Sequence, residues 1–216
     1  KRQVCHYYDY SAYDYWSTEE CLRESAEKMI LFHLKHTEEN IKQSVLDVCC
    51  GAGLMLKVLH ENGFTDLSGV DGSKEMLSYC YENVESLIPF SNIYLHDFEN
   101  GDFVAEDRKF NHITVHAGIS FISDLEQFLK NMSFLLENGG LLSFNFIENI
   151  YNEETLPDEH GSYMAEIYYS KGYKFYYRTA QDFQDLMGNN FDILESRDYE
   201  FSTDRKKICF VIARKK

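Results

Sequence analysis

The fold is decided by residues 45–53, which read VLDVCCGAG. An apolar, strand-like run ends here at two glycines, Gly51 and Gly53, and a helical pattern over residues 54–61 follows directly. Glycine at a strand-to-helix turn lets the backbone approach a ligand that a Cβ atom would push away. The segment therefore predicts a cofactor-binding turn between a strand and a helix.

Outside this turn, short β-rich runs alternate with helical patterns. The predicted strands are residues 44–49, 67–70, 92–95, 110–115 and 141–146, and the predicted helices between them are residues 54–61, 73–83 and 124–136. Strands that alternate with helices form a parallel sheet covered on both faces. The expected fold class is therefore α/β, a doubly wound, Rossmann-like domain.

The last third of the chain breaks this alternation. Two β-like runs, residues 164–169 and 173–178, flank a glycine-containing turn and predict a β-hairpin inserted after strand five. A helix is predicted over residues 179–187. The last two runs, residues 191–201 and 207–214, have so short a connection that they must be antiparallel. The sheet should thus have seven strands, parallel except for an antiparallel terminal strand.

No linker, repeat or low-complexity segment divides the chain, so residues 1–216 are expected to form a single domain. Residues 1–43 form a helical cap in this interpretation, with a helix that follows Ser17 and ends near His36. Residues 147–178, which include the predicted hairpin, are expected to be a substrate lid over the carboxyl edge of the sheet.

The charge balance limits the expected partners. The chain has 21 basic and 36 acidic side chains and a net charge of -15, which repels phosphate backbones and anionic lipid headgroups. We therefore expect neither nucleic acid nor a membrane as a partner. No stretch approaches the roughly 20 apolar residues of a membrane span, and residues 1–15 do not resemble a signal peptide. The expected location is cytoplasmic, and the six cysteines, which lack a C-x-x-C pair, are expected to be reduced.

Two further strand ends carry residues suited to a nucleoside. Asp71, at the end of the second strand, is placed to bind both hydroxyls of a ribose. At the third strand end, Asp97 can accept from an exocyclic amine, and Phe98 offers an aromatic surface to a base. Open α/β sheets bind ligands at the carboxyl ends of their strands, where these residues should converge.

In their order along the chain, these segments resemble the motifs of class I S-adenosylmethionine-dependent methyltransferases of the small-molecule type. Residues 47–53 are similar to the family's D-x-G-x-G-x-G motif, with Cys49 at the position of its first glycine. Residues 69–73 are similar to its second-strand motif, residues 138–140 stand at the place of its Pro-Gly-Gly turn, and Tyr13 lies in a segment similar to its F-A-x-x-Y-D sequence. The residues that this resemblance assigns to cofactor binding are Tyr13, Asp47, Cys49, Gly51, Gly53, Asp71, Gly72, Ser73, Met76, Asp97, Phe98 and His116.

The resemblance implies S-adenosylmethionine as the cofactor and transfer of its methyl group to a nitrogen or oxygen of a small-molecule metabolite. The aromatic and acidic segments outside the common sheet suit a sugar, an amino sugar or an amine as the acceptor. The protein's part in such a reaction is to hold donor and acceptor in near-attack geometry and to exclude water. No metal site is expected, and the oligomeric state is left open.

His116 is the candidate catalytic residue, because it follows the fourth strand at the edge where the methyl group would leave. It would accept a proton from the acceptor or position it, and the alternative is a histidine that only supports the fold. Cys49 and Cys50 are expected to be small packing residues and not nucleophiles. Asp47 either caps a chain reversal or, as in the family, helps to position the methionyl amino end of the cofactor.

Other functions are weighed against these motifs. Transfer of a carboxymethyl group would need a cation near the methyl position, which Arg178 or Lys174 would supply. A methyltransferase-like domain without activity, acting as a partner protein, is opposed by the intact cofactor motifs. A nicotinamide-dependent oxidoreductase is disfavoured, because residues 51–56 lack the third glycine of G-x-G-x-x-G and no tyrosine has a lysine four residues later.

Overall fold

The computed structural model describes residues 20–37, 40–98, 103, 108–147, 176, 178–200 and 207–216. Tyr13, Lys174 and most of the predicted lid lie outside these ranges, so the hairpin and the first part of the helical cap stay predictions. No helix within the described ranges is long and apolar enough to cross a membrane.

Helices and strands follow the predicted order up to β5, alternating except between β3 and β4, where the described ranges contain no α-helix. The elements are α1 (Glu20–His36), β1 (Val45–Val48), α2 (Leu54–Glu61), β2 (Leu67–Asp71), α3 (Lys74–Val84), β3 (Ile93–Leu95), β4 (Phe110–Val115), α4 (Leu125–Leu135), β5 (Leu136–Ile147), α5 (Ala180–Met187), β6 (Phe191–Glu200) and β7 (Lys207–Lys215).

The seven strands form one sheet in the order β3-β2-β1-β4-β5-β7-β6. Strand β7 is antiparallel to both of its neighbours, whereas the pairs from β3 to β5 are all parallel. The predicted Rossmann-like sheet with an antiparallel terminal strand is confirmed. The strand order reverses between β1 and β4, and ligands of open α/β sheets bind at the carboxyl ends of the strands at this point.

Local signals explain where several helices begin. The Ser73 hydroxyl accepts the Met76 N–H at 3.1 Å at the start of α3. At the start of α5, Thr179 and Asp182 form a reciprocal capping box. Each cap satisfies backbone donors that a first helical turn leaves unpaired. The helix predicted over residues 179–187 is confirmed, with Thr179 as its N-cap.

Strand β5 begins at Leu136, earlier than the predicted start at residue 141. Leu136 pairs with Phe110, and the register then shifts between Phe110 and His112. Gly139, with φ +79°, lies within this irregularity. The glycines that suggest a turn before the strand therefore form a bulge inside it, because pairing with β4 continues on both sides.

Apolar layers cover both faces of the sheet. One contains α4 and α5, with Phe128 and Phe183 packed against strand residues such as Phe144. The other contains α1, α2 and α3 and includes Met29 and Leu56. Strand β1 is buried along its whole length, as expected for a central parallel strand. The turn that the sequence predicts to bind a cofactor thus follows a fully buried central strand.

Candidate active site

The turn after β1 has a backbone that most side chains disfavour. Cys49, Gly51 and Gly53 have φ values of +59°, +52° and +86°. A Cβ atom at Gly53 would lie 2.9 Å from Val84 Cγ1 and 3.0 Å from Cys80 Sγ, so α3 packs directly against this glycine. Gly53 is therefore required by both its conformation and its contacts.

Cys49 holds a left-handed conformation at the position where the resemblance expects glycine. A Cβ at Gly118, in the loop after β4, would lie 2.3 Å from the Cβ of Cys49. The glycine that leaves space for the Cys49 side chain is therefore Gly118, on the facing loop. Burial, followed by the negative charges of nearby aspartates, raises the pKa of the Cys49 thiol well above its ordinary value. A neutral thiol fits the expected packing role and not a nucleophile.

Asp71 connects the end of β2 to the turn after β1. Its Oδ2 accepts the Gly51 N–H at 2.8 Å and its Oδ1 accepts the Ser73 N–H at 2.8 Å. A carboxylate offers about four acceptor positions, so these bonds leave it able to accept from a further donor. Burial raises the pKa of Asp71, the backbone hydrogen bonds from Ser73, Gly51 and Gly72 lower it, and the charge of Asp97 raises it. The arrangement leaves Asp71 able to accept from a hydroxyl of a ligand.

The Met76 side chain packs against Gly51. A Cβ at Gly51 would meet the Met76 Cε at 3.4 Å, and Met76 is 5% exposed. Ser73 fixes the start of the helix that carries Met76. The structure therefore brings together Gly51, Asp71, Ser73 and Met76 as the sequence predicts, with Gly72 beside them.

Phe98 contributes an aromatic surface at the end of β3. Its ring contacts His96, Phe103 and Phe128 in edge-to-face arrangements, with centroid distances of 5.0, 5.8 and 5.5 Å. These contacts hold Phe98 in one orientation. Asp97 lies close enough for its charge to raise the pKa values of Asp71 and Cys49.

Asp47 lies inside the sheet, between β1 and β4. It is 1% exposed, and its Oδ1 accepts the Thr114 hydroxyl at 2.8 Å. Burial raises the pKa of Asp47 to about 8, the hydrogen bond from Thr114 opposes this, and the charge of Asp71 adds to it. An incoming cation would favour the ionised form of this group.

His116 is held between the sheet and α1. Its Nε2 lies 2.5 Å from the hydroxyl oxygen of Ser25, and burial lowers the pKa of the imidazole to about 4. Next to it, Ala117 has φ +57° and donates its N–H to Asn145 Oδ1 at 2.7 Å. His116 is therefore a neutral, fixed imidazole at the carboxyl end of β4.

The sequence analysis missed Ser25, Thr114, Gly118 and Asn145. Asn145 has a visible signal, because it is a polar residue in the apolar run of β5. Thr114 is a β-branched residue in a strand, and Ser25 is one small polar residue in an amphipathic helix. Neither of these two patterns indicates a contact with the site.

The residues at this edge fit a cofactor made of a nucleoside and a sulfonium amino acid. The remaining acceptor capacity of the Asp71 carboxylate suits a ribose hydroxyl, and the Phe98 ring offers a surface for a base. The positive φ values of Gly51 and Gly53 shape the backbone turn between them. The carboxylates of Asp47 and Asp71 suit a ligand of positive net charge.

Residues 45–140 match a family model described as a methyltransferase domain. The chain is therefore similar to methyltransferase domains over this segment, and its fold is that of solved S-adenosylmethionine-dependent methyltransferases. The solved structure of magnesium protoporphyrin IX methyltransferase (ChlM) from Synechocystis PCC 6803, with S-adenosylhomocysteine bound, is similar in fold. It superposes with a TM-score of 0.70 at 14% identity and covers 99% of this chain and 98% of that one.

The curated relatives differ in what their names say they methylate. The tRNA N(3)-methylcytidine methyltransferase trm140 of Schizosaccharomyces pombe is 26% identical over 79% of this chain and 58% of its own length. The ubiquinone biosynthesis O-methyltransferase of Coxiella burnetii is 29% identical over 53% of this chain and 49% of its own length. The chain therefore spans about half the length of these relatives, and they include both RNA and small-molecule enzymes.

Proposed function

We propose that this chain transfers the methyl group of S-adenosylmethionine to a nitrogen or oxygen atom of a small molecule. The observation that carries the proposal is the Asp71 carboxylate, which backbone N–H groups hold in place at the carboxyl end of β2, beside the turn after β1. When bound, the cofactor supplies an electrophilic methyl group on a sulfonium. The chain's own residues bind it, orient the acceptor and exclude water.

Each residue has a separate task in this proposal. Asp71 accepts from the ribose hydroxyls, and Asp97 and Phe98 bind the adenine end. Gly51 lets the backbone approach the ligand, while Asp47 favours the positive charge of the methionyl amino group. The lid predicted over residues 147–178 would close over the acceptor.

His116 would contact the acceptor from the end of β4. A general base works best with a pKa near the operating pH, and burial lowers the pKa of His116 to about 4. The same neutral imidazole accepts a hydrogen bond at any pH near 7. We therefore assign His116 to orientation of the acceptor rather than to proton removal.

The net charge of -15 supports a neutral or cationic acceptor such as an amine, a sugar or an amino sugar. A polyanion would approach this chain against long-range repulsion. The similarity to trm140 over 79% of the chain favours a second candidate, methylation of a base in RNA. The two candidates differ in their dependence on salt, because RNA binding weakens steeply as salt rises.

Carboxymethyl transfer receives less support from the described residues. The guanidinium of Arg178 donates to the Ile122 carbonyl at 2.7 Å and lies 5.1 Å from the centre of the Tyr176 ring. Burial lowers its pKa. Arg178 is thus engaged by the segment after β4, and Lys174 lies outside the described residues.

Calorimetry with S-adenosylhomocysteine and with NAD tests the cofactor assignment. We expect heat from the first ligand and none from NAD. Asp71→Ala should weaken binding by about 1.5–3 kcal/mol, the usual contribution of hydrogen bonds to a charged group. Asp66→Ala is the matched control, because Asp66 lies directly before the first residue of β2, at the end away from the site, and pairs with Arg108. Unchanged affinity in Asp71→Ala would place the ribose elsewhere.

The acceptor class is tested with S-adenosylmethionine carrying a radiolabelled methyl group. The panel contains primary amines, amino sugars, hydroxylated aromatic compounds and unmodified tRNA. We expect label in a small molecule and none in tRNA, at low and at high salt. Label in tRNA alone would replace the small-molecule proposal with the RNA candidate.

A further inference from the structure

The contacts of Ser25 bear on which nitrogen of His116 carries the proton. The Ser25 Oγ lies 2.5 Å from His116 Nε2 and 3.1 Å from the carbonyl oxygen of Leu22. A hydroxyl has one hydrogen, and a carbonyl oxygen can only accept. A hydroxyl that donates to Leu22 must therefore act as the acceptor at His116, and it then takes the N–H of Nε2.

The surroundings keep this arrangement in one state. Ser25 is 2% exposed, so water does not compete for its hydroxyl. Its helix is anchored by Ala26, Met29 and Ile30, each at most 1% exposed. An imidazole with its proton on Nε2 presents a lone pair at Nδ1. No described residue forms a hydrogen bond with that Nδ1.

We propose that Ser25 is a positioning residue, which holds His116 as the Nε2–H tautomer so that Nδ1 accepts a hydrogen bond from the methyl acceptor. This inference rests on the proposed function for the identity of the donor, an N–H or O–H group of the acceptor. It extends the site to α1, an element that carries none of the other assigned cofactor residues. Without Ser25, nothing in the described structure selects the tautomer.

A second serine–histidine pair supplies a matched control. His33 of α1 and Ser143 of β5 are 2.6 Å apart at His33 Nδ1, and both residues are fully buried. This pair ties the same helix to the same sheet, and neither residue is assigned to the cofactor or the acceptor. A change at Ser143 therefore reports the loss of a buried hydrogen bond without disturbing His116.

Nitrogen-15 NMR of the imidazoles tests the proposal on the full chain. His116→Asn identifies the His116 signals by their loss. In the wild-type chain we expect a single Nε2–H form of His116 whose proton exchanges slowly. In Ser25→Ala this protected signal should be lost and an Nδ1–H form should appear, whereas Ser25→Thr, which keeps the hydroxyl, should restore the wild-type spectrum. Ser143→Ala should change the His33 signals and leave those of His116 as they are.

Two results would overturn the proposal: an Nδ1–H form of His116 in the wild-type chain, or a wild-type His116 spectrum in Ser25→Ala. The first result needs only the wild-type spectrum and its assignment with His116→Asn, so it decides the matter even where Ser25→Ala fails to fold. Calorimetry with S-adenosylhomocysteine separates the two levels of inference. Ser25→Ala should bind S-adenosylhomocysteine with wild-type affinity. If the wild-type chain does not bind S-adenosylhomocysteine, the proposed function is contradicted, and NMR still decides the tautomer of His116.

Discussion

The carboxyl edge of the sheet and the β6 edge place carboxylates in opposite environments. Asp47, under the carboxyl edge, is buried against one hydroxyl, and its pKa is raised to about 8. Glu195 on β6 accepts hydrogen bonds from Lys35, His36 and Arg197, and these bonds hold its pKa at about 2. The first carboxylate is costly to ionise, whereas the second is stabilised as an anion by its neighbours.

This difference distinguishes a carboxylate that stabilises the fold from carboxylates that are available to a ligand. At the β6 edge, side chains of the protein itself supply the positive charge next to Glu195, and the resulting ion pairs join α1 to the sheet. At the carboxyl edge, no described residue forms an ion pair with Asp47 or Asp71. The charge of Asp71 adds to the raised pKa of Asp47, and the charge of Asp97 adds to that of Asp71. Groups with perturbed pKa values in such a position are typical of ligand sites. The positive charge that this edge lacks is one that a cofactor can bring.

The largest expected effect is that of Asp47→Asn on stability. The folded chain keeps a proton on Asp47 up to about pH 8, whereas the unfolded chain releases it near pH 4, so the wild-type protein loses stability as pH rises between these values. Asparagine keeps an acceptor for Thr114 and has no charge to bury. At pH 8 the variant should be more stable by on the order of 2–5 kcal/mol.

Urea unfolding at pH 4 and pH 8 measures this effect, and the advantage of the variant should disappear at the lower pH. Asp66→Asn, at the other end of β2, is the control and should show no such gain. A variant no more stable than wild type at pH 8 would mean that a cation already compensates Asp47.

The second effect concerns the tight backbone of the carboxyl edge. Gly118→Ala should cost about 1–3 kcal/mol through overpacking, because the new Cβ would lie 2.3 Å from that of Cys49. Cys49→Gly in the same chain should recover most of the loss, and a double-mutant cycle measures the coupling. Gly188→Ala is the control, since its φ of -52° and open surroundings tolerate a methyl group. Additive losses in the cycle would show that the two loops do not touch.

The third effect concerns two histidines whose pKa values are lowered by burial, His116 at the site and His112 away from it. Burial lowers the pKa values of His112 and His116 to about 4, against about 6.5 in an unfolded chain. Each contributes stability that is complete above pH 6.5 and is lost as pH falls towards 4. At pH 5 the loss is about 2 kcal/mol for each histidine.

His116→Asn should remove that part of the pH dependence, as measured by the difference from wild type in unfolding free energy between pH 7 and pH 5. His112→Asn should remove a similar part, although His112 lies at the opposite end of β4. A difference that is the same at both pH values would show that the histidine is charged or solvated in the fold.

The smallest effect is expected from Glu195→Gln. Exposed ion pairs contribute little and are screened by salt, so the fall in Tm should be the smallest of the four and should vanish in ~1 M salt. The contribution of Glu195 is present above pH 4.5 and is lost as pH falls towards its lowered pKa of about 2. Thermal unfolding at low and high salt measures it. A loss that persists at high salt would assign Glu195 a packing role.

Local patterns in the sequence were enough for the order of elements and for half of the site. The run over Val45–Val48 is apolar because a central parallel strand is buried on both faces. The contact between Gly51 and Asp71 also follows from local chemistry, because two strand-turn-helix units in a parallel sheet bring their strand ends together. The predicted start of β5 is wrong because glycines usually indicate a turn. Only the pairing of β5 with β4 shows that these glycines form a bulge inside the strand.

The sequence by itself determined the α/β alternation, the antiparallel last strand and the residues after β1 and β2 that we predict to bind the cofactor, because periodicity and turn chemistry act over a few neighbouring residues. Only the tertiary structure decided that Ser25 meets His116 across 91 positions, that Gly118 makes room for Cys49, and that Asp47 and Glu195 have opposite pKa shifts. These properties depend on which distant elements exclude water from a group and which donors they bring to it. No pattern along the chain records that information.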